Sequence, residues 1–160
     1  MMQMFSRHSE RYFKNDLYNK RRERNADNTD LHDYNCAGFA LSTFSWYCPS
    51  YDEDAWGFLE DWSWATMKQV TQMAVNKMLN DFENLRLIHQ MHELLENEYA
   101  VAFRVSSDGD FHYIRQINGE HWEHKCGGSY IRSMDEAEVF TTNWCNRYDG
   151  PIILFAVEFE

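Results

Sequence analysis

The hydrophobic period of this chain changes once, near residue 84, and that change limits what it can fold into. Before it, Trp64, Met67, Val70, Ala74, Met78 and Phe82 recur at three- and four-residue spacing, with Lys68, Gln72, Asn76 and Asn80 between them. This is the stripe of an amphipathic helix over about residues 64–82, with Ser63 placed to cap it. After it come short apolar or alternating runs at 85–88, 99–105, 111–117, 120–125 and 152–159, separated by turn residues such as Ser106-Ser107-Asp108-Gly109-Asp110 and Asn118-Gly119. These read as strands, the third and fourth forming a hairpin. Residues 93–96 form a turn of helix or a loop, Cys126-Gly127-Gly128 a loop, and residues 135–140 a helical turn. Helices first and a mostly antiparallel sheet afterwards is an α+β arrangement.

The chain has 160 residues, of which 44% are apolar and 16% aromatic, enough for one packed domain. Residues 1–30 form a polar N-terminal arm containing the basic knot Lys20-Arg21-Arg22-Glu23-Arg24, and residues 31–160 form the globular domain. The net charge of −11 is divided unevenly, with 7 Lys/Arg against 3 acids in residues 1–24 and 8 against 23 in the remainder. An acidic body repels nucleic acid, whose binding needs a basic footprint, and favours a basic protein surface as partner. No segment has the length and apolarity of a membrane span, and the first residues lack the apolar core of a secretion signal. Four cysteines without paired close spacing fit reduced thiols in a cytoplasm.

The chemistry concentrates at Tyr34-Asn35-Cys36-Ala37-Gly38-Phe39-Ala40-Leu41. Asn35 suits an N-cap, and Ala37, Ala40, Leu41 and Phe44 share one helical face, so Cys36 opens a helix that Cys48-Pro49 ends. A helix N-terminus stabilises a thiolate. His112 follows on a strand as general base and acid, and the backbone N–H of Cys36 is the default oxyanion donor. The expected resting state is a thiolate–imidazolium pair.

Hairpin register decides what stands beside His112. A two-residue turn at Asn118-Gly119 sets His112 opposite Lys125. A three-residue loop sets it opposite His124, with Tyr113, Arg115, His121, Glu123 and Lys125 turned to the other side. The cleaner amphipathic division favours the second register, which makes His124 the orienting residue. Gln116, two residues from His112 on the same face, is the reserve.

Asn35-Cys36-Ala37-Gly38-Phe39 resembles the Asp-Cys-Ser-Gly-Phe motif of NlpC-type peptidases, with asparagine and alanine replacing the aspartate and serine. His112, Asn118-Gly119 and His124 are similar to that family's histidine strand, turn and second histidine. The resemblance, shared with CHAP amidases, implies a papain-like fold over residues 31–160. It also implies a cysteine hydrolase (peptidase, amidase or deamidase) acting on a protein or peptide-like substrate, with Cys36 as nucleophile. The alternative is a catalytically inactive papain-like binding protein or an acidic inhibitor or adaptor, of the kind a phage-type effector would be. No cofactor is required and no metal is expected. His89 and His92, and His121 and His124, are spaced three apart, which on a strand sends side chains to opposite faces, although Cys126 stands two residues after His124.

Overall fold

The computed structural model describes residues 32–51, 56 and 59–159. The arm over residues 1–30 and most of the acidic stretch before residue 59 lie outside the described residues. The elements are α1 (Cys36–Ala40), α2 (Trp64–Asp81), β1 (Leu85–Ile88), a 3-10 turn (Met91–Glu93), β2 (Glu98–Val105), β3 (Phe111–Asn118), β4 (His121–Lys125), β5 (Ile131–Asp135), α3 (Glu136–Thr141) and β6 (Ile153–Glu158). The strands form one six-stranded sheet in the order β1-β6-β2-β3-β4-β5. Every neighbouring pair in it is antiparallel. No helix among the described residues is long and apolar enough to cross a membrane.

The long helix forms where its stripe places it. Ser63 Oγ accepts the Thr66 N–H at 3.1 Å, closing the N-terminus as a cap does. Met67, Val70, Ala74, Val75 and Met78 are buried, whereas Trp64 at the first position is exposed. α1 and α2 cover one sheet face, where Val101, Phe103, Val105, Tyr113, Phe155 and Val157 join them in the larger apolar cluster. The opposite face carries Ala100, Ala102, Ile114, Trp122, Leu154 and Ala156, covered by Val139 of α3 and by Trp144 and Tyr148. With both faces dry, β2 is buried at every position, so it lacks the strand-like alternation of a half-exposed sheet.

Two expectations need correction, and one strand is added to those expected. The helix opened by Cys36 ends at Ala40, because Ser42 and Phe44 take left-handed backbone angles (φ 60° and 52°). Thr43 and Phe44 donate their N–H groups back to the Gly38 carbonyl, and Phe44 packs edge-on against Tyr34, not along the helix. Residues 131–135 form a sixth strand paired with β4. In the hairpin, Arg115 faces Glu123 and Gln116 faces Trp122, then a bulge carries the register to Asn118 opposite His121. The turn is therefore at Gly119-Glu120, Gly119 taking φ 49°, and the bulge sits within β3. His112 does not stand directly across from His124. The displacement is two residues from the expected register, so both side chains still lie on one face.

Candidate active site and the imidazole–thiol cluster

Asn35 holds the entrance to α1. Its side-chain oxygen accepts the Gly38 N–H at 3.1 Å and its amide donates to the Tyr47 carbonyl at 2.8 Å, so the cap also ties down the chain leaving the helix. Gly38 is required by close approach, since a Cβ there would run into the Ser45 backbone. The result puts Cys36 at the first helical position, but buried to 5% exposure among apolar neighbours. Burial pushes its thiol up to about 12, against the backbone N–H of Tyr113 that stabilises the anion, and nearby Asp110 adds to the rise. A five-residue helix aligns too few peptide dipoles to overcome that desolvation. The expected thiolate is therefore a protonated thiol at rest.

His112 and His124 come together as the expected pair. His112 Nε2 lies 2.8 Å from His124 Nδ1. The His112 ring stacks on Tyr148 (centroids 5.0 Å, planes 20° apart) and meets the edge of Trp144. Burial lowers His112 to about 3, with His124 and Arg147 adding to the effect. Burial likewise lowers His124 to about 4, helped by Arg132 and opposed by Glu123. Both rings are neutral near pH 7, so one N–H donates to the other ring's lone pair. Gln116 shares their face but spends its amide elsewhere, accepting from Ala100 N–H and donating to the Gly119 carbonyl. It does not contact either ring through these bonds.

Cys36 and His112 line one cavity of about 330 Å³, together with Asn35, Cys126, Arg147 and Tyr148. Among the described residues, no hydrogen bond joins the Cys36 thiol to the His112 ring. Arg147 reaches Asp108 and Asp110, each at 2.9 Å, at the cavity wall.

Two thiols not assigned a role from the sequence complete the surroundings. Cys126 Sγ lies 3.7 Å from His124 Nδ1, 3.9 Å from His112 Nε2 and 4.0 Å from Cys145 Sγ. The donor atoms of His112, His124, Cys126 and Cys145 all fall within 4.8 Å of one another. Cys145 is drawn down to about 7, chiefly by the hydrogen bond from Cys126, with burial opposing and Arg132 and Arg147 assisting. Cys126 is pushed up by that same bond and by burial. The signal for Cys126 was its place two residues after His124, which on a strand keeps one face. Cys145 had none, because it is 19 residues further along and arrives through the left-handed pair Cys145 and Asn146 (φ 55° and 53°).

Comparison of the chain with family models, with curated proteins and with solved structures finds no match.

Proposed function

We propose that this chain is a papain-like cysteine hydrolase that cleaves an amide bond, with Cys36 as nucleophile, His112 as general base and acid, and His124 as the residue that orients His112. The observation that carries this reading is the shared cavity: a thiol at a capped helix start and an imidazole held by a second imidazole line the same space. With His112 Nε2–H donating to His124 Nδ1, the lone pair of His112 is left on Nδ1. Since no hydrogen bond joins the two groups at rest, the protonated thiol passes its proton to this nitrogen through one water in the shared cavity as its sulfur bonds to the substrate carbonyl carbon. The imidazolium then protonates the departing amine as the C–N bond breaks. Water cleaves the thioester, releasing the acid and restoring the thiol. Starting from neutral partners makes this a general-base attack, not attack by a resident thiolate.

The test is labelling of the chelator-stripped protein by peptide-like chloroacetamides, followed by site-resolved mass spectrometry. Modification is expected at Cys36, and His112→Gln should slow it by ~100-fold, the lower range for loss of a general base, while near-ultraviolet dichroism stays native. Equal Cys36 labelling in the two folded proteins overturns the reading. A noncatalytic binding scaffold would then be the reading favoured by the buried, protonated thiol.

A further inference from the structure

We infer that His112 Nε2, His124 Nδ1, Cys126 Sγ and Cys145 Sγ form a binding site for one divalent ion of the zinc class. A tetrahedral zinc with bonds of about 2.3 Å to sulfur and about 2.0 Å to nitrogen has edges near ~3.8 Å between sulfurs, ~3.3 Å between nitrogens and ~3.5 Å between unlike donors. The corresponding separations here are 4.0 Å between the sulfurs, 2.8 Å between the nitrogens, and 3.7 and 3.9 Å from Cys126 to the two rings. The nitrogen pair, now joined by a hydrogen bond, must open, and the edges from Cys145 to the two rings lie within 4.8 Å, so the donors on that side must draw in toward the ion. Two imidazoles and two thiolates suit zinc better than a hard cation, which prefers oxygen ligands.

Three independent parts of the fold converge on this point. His112 comes from β3, while His124 and Cys126 lie at and just beyond the end of β4, on the same side of that strand. Cys145 comes from the segment between α3 and β6. That segment is bent to reach the sheet: Trp144 pairs with Tyr148 across a tight loop, and two of its three inner residues, Cys145 and Asn146, are non-glycine and left-handed. Backbone held in this sparsely populated region marks a position that its surroundings impose. Trp144 on one side of the loop is fully buried, and its indole N–H donates to the Val139 carbonyl at 2.8 Å. The turn is therefore anchored, and it presents Cys145 to the other three donors.

The ion has a consequence for the hydrolase, and this part rests on the function proposed above. A neutral imidazole that gives its Nε2 lone pair to a metal carries its proton on Nδ1. Nδ1 of His112 is the atom assigned as base, so metal binding converts that base into a donor. The metal-bound protein is then the inactive form. Both thiols bind as thiolates, so proton release accompanies metal uptake.

The experiment titrates the chelator-stripped full chain with zinc by calorimetry and with cobalt(II) by absorption. One ion per chain is expected, with the intense visible bands of tetrahedral cobalt and a thiolate-to-cobalt charge-transfer band in the near ultraviolet. Cys145→Ser, a conservative change at an exposed position, should lose saturable zinc binding. In the wild type, zinc should protect Cys126 and Cys145, but not Cys48, from alkylation, a readout that stands if the variant misfolds. Absence of the charge-transfer band, or zinc binding by folded Cys145→Ser equal to wild type, overturns the site. Zinc should also abolish chloroacetamide capture at Cys36. Binding of one zinc with capture unchanged would leave the metal site standing and overturn its control of His112.

Discussion

The Cys36 thiol is one proton away from being a nucleophile, and burial decides which side of that line it occupies. Its ordinary value of 9.0 rises to about 12 in the folded chain, with desolvation as the largest cause. The unfolded chain therefore loses this proton first. The group's contribution to stability is fully present below about pH 9 and is lost progressively as the pH climbs toward 12. Between pH 7 and about pH 10 the thiol alone should cost the native state about 1.4 kcal/mol. Tyr47 acts in the same direction, its phenol raised by burial and then by Asp81. Denaturant melts of wild type and Cys36→Ala at the two pH values isolate the thiol. Wild type should lose more stability over the interval, and equal losses would show that the sulfur ionises as freely folded as unfolded. At this scale the sequence was informative about identity and poor about protonation. Residue type and order singled out Cys36, His112 and His124, but burial among segments distant in sequence, on both faces of the sheet, sets their charge.

At the scale of elements, periodicity gave α2 and five of the six strands because their apolar residues repeat over enough positions to select one geometry. β5 escaped because Ile131 and Met134 break strand alternation, and three of its five residues are exposed as an edge strand. α1 was misjudged for a different reason. Phe44 fits the helical stripe by spacing, yet two left-handed residues redirect it into the small cluster with Tyr34, Phe39 and Ile117. That redirection depends on Gly38, whose missing side chain lets the Ser45 backbone lie against the helix. Gly38→Ala should destabilise the protein by about 2–3 kcal/mol through overpacking against backbone. Gly127→Ala meets nothing within 4 Å and bears only the strain of φ 53°, so it should cost about 1 kcal/mol. Thermal melts of the two variants compare these directly, and a Gly38→Ala protein as stable as wild type would mean the 43–45 segment yields easily.

For the molecule as a whole, the cavity is built from residues 35–36, 46, 110–112, 126–127 and 147–148. No local segment predicts it, which is why the sequence could nominate a thiol and two imidazoles yet not the Arg147 and Tyr148 wall or the Cys145 approach. The order of the sheet carries a related constraint. β6 is the last strand in the chain, but it lies between β1 and β2 and pairs with both. A protein stopped at residue 150 should therefore lack cooperative unfolding and near-ultraviolet dichroism, since β1 would lose its neighbour and Phe155 its place in the core. A native-like melt of that fragment would show that the remaining strands close up without it. The same arrangement has a meaning for biosynthesis. As the chain leaves the ribosome, β2 to β5 can pair in sequence, but β1 waits, and one flank of β2 stays open with its backbone groups unpaired. Closure comes only when residues 153–158 insert between strands made earlier, so from the completion of β2 until β6 emerges the nascent sheet carries an adhesive edge.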